Sequence, residues 1–295
     1  MLPAMHPLAL VLLGLGIGCV GTLIGAGGGF ILAPILILIA PHLAPEQLTA
    51  ISLGVVAANA SVGSFSYWRR GRVDVRSALI FATAAMPTAI LGVWLNALLP
   101  RETFALLIAC LLLIGGTWLF FRPMPKKTGR VEPTPHADAA TADRSPQPAP
   151  VNPNAHERPA FTPLGPSIPH SRPLGVAISA GVGVISSLLG IGGGIIHVPV
   201  MVHVLRFPVH NATATSHMVL ALTAIVAVIM HAIHGDYAGN LDTTLWLCAG
   251  VVFGAPLGAR LSSRLHGTAI LRALAVALVL VGIRVLWASL SNASH

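Results

Sequence analysis

The amino-acid sequence predicts an all-α polytopic membrane protein made of two inverted repeats. Three observations predict it: a very apolar composition, recurring apolar segments of bilayer length, and a glycine-rich motif present in both halves. Hydrophobic residues make up 55% of the 295 residues and charged residues only 9%, whereas soluble proteins carry roughly 25% charged residues. Because so few charges could not cover the surface of a soluble domain of this size, the sequence excludes a soluble globular protein.

The positive net charge marks membrane topology and does not indicate a nucleic-acid-binding surface. The chain has 17 basic and 9 acidic residues, for a net charge of +8. Most of the basic residues fall in two places beside apolar segments, residues 69–76 and 122–172. Basic residues in such positions hold their loops on the cytoplasmic side of a membrane. The sequence therefore predicts no nucleic-acid partner.

Eight apolar segments are expected to enter the bilayer. Six have the roughly 20 residues that one membrane-spanning helix needs, namely 47–67, 77–99, 103–121, 212–233, 243–265 and 269–290. The other two, 8–40 and 174–205, are too long, since a straight helix of 33 residues would be roughly 50 Å long. Glycine clusters interrupt both, so we predict that each folds as a glycine-broken helical hairpin. Eight plain transmembrane helices are the alternative.

The chain divides into two membrane repeats and a polar middle. The predicted domains are an N-terminal repeat over 1–121, a linker over 122–172 and a C-terminal repeat over 173–295. The linker is rich in proline and mixes small and charged residues without an apolar period. Such a composition cannot bury enough surface to offset the entropy of ordering, so we predict that the linker is disordered.

The two halves repeat each other in sequence. Residues 25–34 read GAGGGFILAP, and residues 190–199 read GIGGGIIHVP at an offset of 165. The segment TAIS at 49–52 matches TATS at 213–216 at an offset of 164. Gly71 and Gly235 follow in the same order, each before an Asp. Internal duplication of this kind is common in secondary transporters.

Charges on equivalent loops indicate that the repeats are inverted. The loop at 69–76 carries four arginines and should be cytoplasmic, whereas its counterpart at 234–242 has two aspartates and no basic residue. The 260–272 region is basic again. Equivalent loops lie on opposite sides only if each half crosses the membrane an odd number of times. A hairpin followed by three full spans in each half meets this condition, with both termini outside. Eight plain spans would instead place both termini in the cytoplasm.

The glycine clusters are the first candidate binding elements. Three successive glycines are costly to a helix, and irregular backbone at membrane depth is tolerated only where it lines a cavity or is buried in protein. A helix that restarts after such a break presents free N–H groups and a positive dipole end, which together attract anions. A structural turn is the alternative. The candidates are Gly27, Gly28, Gly29 and Pro34, with Gly192, Gly193, Gly194 and Pro199.

Polar side chains near these clusters are the second set of candidates. Hydroxyl and amide groups can hydrogen-bond an oxyanion, although Ser and Thr also bond backbone carbonyls inside membrane helices. The two intramembrane histidines lie beside the repeated motifs, while Leu32 and Leu53 occupy their positions in the first half. Packing is the alternative role for both. The candidates are Ser52, Asn59, His197, Thr215, Ser216 and His217.

The sequence predicts neither a metal site nor a cofactor nor a catalytic residue. His231, His234 and Asp236 have ligand-like spacing, but no second cluster supports them. All nine acidic residues lie at span ends, in loops or in the linker, which disfavours a carboxylate relay. A membrane-embedded enzyme or metal-binding protein that uses the histidines remains an alternative function, as does a passive anion channel.

The duplicated GxGGG-x4-P motif, followed in each half by a Thr/Ser-rich helix start, resembles the sulfite exporter TauE/SafE family of membrane permeases. The resemblance covers 8–121 and 173–290. It implies a multi-pass permease of the cell membrane that moves sulfite, sulfonates or related small organic anions. It also implies that the glycine clusters, Pro34, Pro199, Ser52, Thr215 and Ser216 form the substrate region. The expected partners are a small anionic substrate and the lipid bilayer, and a homodimer remains open.

Overall fold

The computed structural model describes residues 6–121, 172–262, 264–265 and 267–293, and these ranges form ten helices and no strand. The first repeat contains α1 Pro7–Ile24, α2 Gly29–Ile39, α3 Pro45–Trp68, α4 Val75–Asn96 and α5 Arg101–Phe121. The second contains α6 Arg172–Leu189, α7 Gly194–His203, α8 Val209–His234, α9 Leu241–Ser262 and α10 Gly267–Ala293. Seven of these helices are long and apolar enough to cross a membrane, all except α2, α6 and α7. The all-α polytopic prediction is confirmed, while the predicted linker lies, apart from Arg172, outside the described residues.

Both long apolar segments break at their glycine clusters. Helix α1 ends at Ile24 because Gly25 adopts the left-handed conformation, with φ of 86°, and turns its N–H back onto the last turn. Such a conformation costs glycine little because it has no Cβ. In the second repeat Gly190, with φ of 65°, follows the end of α6 in the same way. The alternative of eight plain helices is therefore wrong, since each long segment forms two helices.

Glycines let α1 and α9 pack together along their whole length. A Cβ on Gly14 would collide with the backbone of Leu247, and a Cβ on Gly258 would collide with the backbone of Cys19. Small residues at such positions allow close helix approach in membranes. Because early residues of α1 face early residues of α9, and late residues face late ones, the two helices run parallel.

Helices α6 and α4, which are the counterparts of α1 and α9 in the opposite repeats, also pack parallel to each other. A Cβ on Gly175 would meet the ring of Phe81, and a Cβ on Gly92 would come within 3.0 Å of the Leu188 backbone nitrogen. Each repeat thus places its first helix against the fourth helix of the other repeat. The two halves are intertwined rather than adjacent.

Equivalent helices run antiparallel to each other. In the central pair, Leu53 of α3 packs with Ala227 of α8, while Gly63 lies against the ring of His217. Rising residue numbers in α3 therefore meet falling numbers in α8. Helices α5 and α10 are also antiparallel, since Gly116 lies against Leu278 and Gly282 lies against Leu113. This is the geometry expected of repeats related by a pseudo-twofold axis perpendicular to the helices, and their orientation in the bilayer stays a prediction.

Each short helix returns to the face of the protein from which its hairpin started. We call the face that bears the 69–74 loop the basic face, and the face that bears the turn at 235–240 the opposite face. The guanidinium of Arg101, at the start of α5, donates to the carbonyl oxygens of Leu43 and of Ile37, the latter at 3.0 Å. This contact ties the end of α2 to the opposite face. On the basic face, His203 at the end of α7 packs edge-on against Trp118 near the end of α5.

Candidate functional site at the two helix breaks

The two glycine breaks meet in the centre of the protein. A Cβ on Gly29 would collide with the backbone of Ile191 in the second break. A Cβ on Gly194 would collide with the backbone of Ala26 in the first break. Helices α2 and α7 begin at this junction and run from it to opposite faces. The first N–H groups of a helix have no partner within that helix, so two positive helix ends face each other here.

The junction is walled by apolar side chains and made mainly of backbone. Val56 of α3 and Leu220 of α8, both fully buried or nearly so, contact both Gly27 and Gly192. Of the six predicted break glycines, Gly29, Gly192 and Gly194 contact the other break directly. A Cβ on Gly28 would instead meet Ile17, and one on Gly193 would meet Val182. The centre of the junction therefore offers N–H donors in an apolar environment, where electrostatic interactions are stronger than in water.

A buried hydrogen-bond network leads from the junction towards the basic face. The Asn59 amide donates from Nδ2 to the Gly27 carbonyl at 3.0 Å, and Thr22 Oγ1 donates to Asn59 Oδ1 at 3.0 Å. His217 Nε2 lies 3.3 Å from Thr22 Oγ1, and the Tyr67 hydroxyl donates to the Thr22 carbonyl at 2.7 Å. Since the Thr22 hydroxyl proton is already donated to Asn59, its oxygen accepts from His217, which fixes the tautomer protonated on Nε2.

The position equivalent to His217 in the other repeat is apolar. Position 53 in α3 corresponds to His217 in α8, and it holds Leu53, which packs with Val93 and Ala227. The other members of the network correspond to buried polar residues, namely Ser187, Thr223 and His231. The two repeats therefore differ here by one buried histidine.

A second hydrogen-bond group, which we call the Ser52–Asn96 cluster, lies on the side of the junction towards the opposite face. Ser52 Oγ donates to the Gly190 carbonyl at 2.5 Å. Asn96 Nδ2 donates to Thr49 Oγ1 at 3.1 Å and to the Leu188 carbonyl at 2.7 Å. These bonds tie α3 and α4 to the second glycine break, so the predicted residue Ser52 is used here in helix contact.

The equivalent hydroxyls on the basic face have no hydrogen-bond partner. Thr213 and Ser216 correspond to Thr49 and Ser52, both are fully buried, and neither hydroxyl makes a hydrogen bond. A Cβ on Gly25 would collide with Thr213, just as a Cβ on Gly190 would crowd Thr49. A buried hydroxyl without a partner is unfavourable, so these two groups are available to a ligand.

The other predicted residues lie near the junction but have local partners. His197 Nε2 is 3.1 Å from Ser179 Oγ. Thr215 Oγ1 accepts from the backbone N–H of Asp74 at 3.0 Å, which anchors the 69–74 loop. Pro34 and Pro199 are buried within α2 and α7. The structure therefore does not direct these four side chains at the point where the breaks meet.

The histidine and acid near the end of α8 pair with each other. His231 Nδ1 lies 2.6 Å from Asp236 Oδ2, which gives the buried ring a local partner. Within the described ranges, no three His, Cys, Asp or Glu side chains are close enough to hold a metal ion.

Several residues around the junction carry little signal in the sequence. Thr22 and Asn96 are single polar residues in or at the end of apolar helices, and Tyr67 sits at a span end. Thr49 and Thr213 could have been found, since they begin the repeated segments at 49–52 and 213–216. Only packing between the repeats shows that these residues meet the glycine breaks.

The fold and site define a class, multi-pass membrane proteins with two broken helices that meet at the centre. The family model described as "Sulfite exporter TauE/SafE" matches residues 10–285, and the chain belongs to this family. It is similar to "Probable membrane transporter protein YunE" of Bacillus subtilis (strain 168), with 26% identity over 94% of this chain and 96% of the relative. A "Probable membrane transporter protein" of Xylella fastidiosa (strain 9a5c) is 26% identical over 90% of each chain. No solved structure matches the chain. The protein is thus a multi-pass membrane transporter of the TauE/SafE family.

Proposed function

We propose that the protein is a secondary transporter that exports small oxyanions such as sulfite or organic sulfonates across the cell membrane. The observation that carries the proposal is the meeting of two helix N-termini in a buried junction, Gly29 of α2 against Ile191 and Gly194 of α7 against Ala26. The description of the family model, a sulfite exporter, supports the substrate class and the direction. An enzymatic role is not proposed.

The chemistry of the junction favours an anion over a cation. Two positive helix ends that face each other repel, and an anion between them would relieve that repulsion. Backbone N–H groups are the donors that remain unused at a helix start. The acidic residues of the described helices and turns lie at helix ends, at Glu46, Asp74, Glu102, Asp236 and Asp242, so no carboxylate competes with a bound anion at the centre.

Side chains at the junction supply the remaining hydrogen bonds. Thr213 and Ser216 have free buried hydroxyls on the basic-face side, and the Asn59 amide already satisfies the Gly27 carbonyl. A hydroxyl can turn to donate to an oxyanion without moving the backbone. We assign these groups to substrate binding, together with the six break glycines.

Alternating access follows from the antiparallel relation of the repeats. In the described conformation the Ser52–Asn96 cluster bonds α3 and α4 to the second glycine break, while the equivalent hydroxyls of Thr213 and Ser216 are unpaired. We infer that the second conformation exchanges these roles, with Ser216 donating to the Gly25 carbonyl as Ser52 now donates to Gly190. Rocking of one repeat against the other around a fixed central site would produce this exchange.

Reconstituted protein tests the function directly. Proteoliposomes loaded with sulfite, sulfate, thiosulfate or taurine should release at least one of these anions at a rate that saturates with concentration. Saturable flux supports a carrier, whereas flux that rises linearly with concentration would indicate a passive channel. No flux of any of the four anions above protein-free liposomes would contradict the proposal.

A further inference from the structure

Three arginines, Arg70, Arg72 and Arg260, lie near one another on the basic face, where the 69–74 loop contacts the start of α8 and the end of α9. Arg70 NH1 donates to the carbonyl oxygen of Ala259 at 2.8 Å, beside Arg260. The carbonyl of Arg72 accepts from Asn211 Nδ2 at 3.3 Å, which fixes the loop to the start of α8. The loop backbone is therefore held in place independently of the Arg72 side chain.

The guanidinium of Arg72 contains a buried donor without a partner. Its NH1 atom is inaccessible to solvent and makes no hydrogen bond. A charged donor in that state is costly unless a counter-charge or an acceptor reaches it. The nearest acid in sequence, Asp74, is occupied, since Oδ1 accepts from the Ser77 N–H at 3.1 Å and Oδ2 from the Ser77 hydroxyl at 2.6 Å.

The neighbouring cations reinforce each other's field. Partial burial, together with the charges of Arg72 and Arg260, lowers the pKa of Arg70. Mutual proximity of like charges is unfavourable unless an anion is bound between them. The arrangement therefore creates a local positive potential that a small anion would neutralise.

The cluster lies at the end of the buried network that starts at the first glycine break. The backbone N–H of Arg72 donates to the Tyr67 carbonyl at 3.2 Å, and Tyr67 bonds to Thr22, which bonds to Asn59. Val73 of the 69–74 loop packs against three buried residues beneath it, Tyr67, Ala214 and Ala259. An anion at Arg72 would be one buried layer away from the polar side of the junction.

We propose that Arg72, flanked by Arg70 and Arg260, forms an entry site that binds an oxyanion on the basic face before it reaches the junction. A guanidinium recognises two oxygens of a sulfite, sulfonate or phosphate group through paired N–H donors. The inference rests on the proposed function, because it places the site on the route of the transported anion. The phosphate of an anionic lipid has the same chemistry, and the experiment separates the two sources.

The test compares Arg72→Gln with Arg69→Gln in sulfite flux measured from each face, using right-side-out and inside-out vesicles. Arg69 is an exposed neighbour of equal charge, whose guanidinium carbon lies 5.7 Å from the Phe65 ring centre. We expect the Arg72→Gln variant to raise KM for sulfite at the basic face by about tenfold, the effect of one lost charge-assisted hydrogen bond. At the opposite face KM should be unchanged, and Arg69→Gln should match the wild type at both faces. Arg72→Lys should recover part of the loss.

Proteoliposomes of phosphatidylcholine alone, and with added phosphatidylglycerol, identify the ligand. If the effect of Arg72→Gln is the same in both lipids, the transported anion is the ligand, as proposed. If it appears only with phosphatidylglycerol, the site binds a lipid headgroup and the proposal is overturned. Equal KM values for Arg72→Gln and Arg69→Gln would also overturn it. An absence of wild-type flux for sulfite, sulfate, thiosulfate and taurine alike would instead refute the proposed function, so the two failures are distinguishable.

Discussion

Ser52 donates its hydroxyl to the carbonyl of Gly190 at 2.5 Å, while Ser216, which holds the same position in the second repeat, makes no hydrogen bond. The two serines occupy equivalent places on antiparallel helices, so a symmetric protein would bond both or neither. The difference means that in the described conformation Ser52 bonds α3 to the second glycine break, while the corresponding bond from α8 to the first break is absent. We interpret this conformation as one of the two end states of a transport cycle.

Removing the Asn96 side chain should loosen the opposite face. Asn96→Ala leaves Thr49 Oγ1 without its donor and the Leu188 carbonyl without its side-chain bond, which should cost about 2 kcal/mol of stability. A lower melting temperature of the purified protein measures this loss. Ser66→Ala is the matched control, because Ser66 bonds only to Val62 within its own helix. Equal melting temperatures for Asn96→Ala and Ser66→Ala would contradict the stabilising role assigned to the Ser52–Asn96 cluster.

The two intramembrane histidines should respond differently to the same substitution. His217→Leu places the residue of the first repeat into the polar network and removes the donor to Thr22. We expect sulfite flux to fall about tenfold, the loss of roughly one hydrogen bond in the transport path. His197→Leu removes the hydrogen bond with Ser179 and the ring contact with Phe81 and should lower thermal stability with little change in flux. Equal flux for both variants at matched expression would refute the distinction.

The antiparallel arrangement predicts the sidedness of three loops. In a protein without Cys19, Cys110 and Cys248, a cysteine at Arg69 and one at Arg264 should react with an impermeant maleimide from the cytoplasmic side. A cysteine at Ala238, in the exposed turn at 235–240, should react only from outside. The prediction follows from the charge difference between the faces and from the antiparallel packing of α3 and α8. Reaction of positions 69 and 264 from opposite sides would exclude inverted repeats.

Sequence reasoning found the architecture but only part of the site. Composition and segment length are properties of single segments, so they predicted the helices and the breaks after Ile24 and Leu189. The contacts that shape the site join distant positions, such as Asn96 with Leu188 and Thr22 with His217. No local pattern encodes such pairs. Thr215 lies in the repeated motif, and only the structure shows that its hydroxyl accepts from the Asp74 backbone.

The central claim is that backbone at the glycine breaks binds the anion, and sulfite affinity of purified Gly28→Val and Gly193→Val protein tests it most directly. A side chain at Gly28, where φ is 86°, would strain the backbone and meet Ile17, and one at Gly193 would meet Val182. Gly16→Val is the control, because Gly16 lies in α1, the helix before the first break, and has open space around it. Affinity should be measured by calorimetry on monodisperse samples of equal helical content. The account predicts that both break variants lose measurable sulfite binding while Gly16→Val keeps the wild-type affinity. Wild-type affinity in Gly28→Val and Gly193→Val would contradict it and leave the glycines as structural turns.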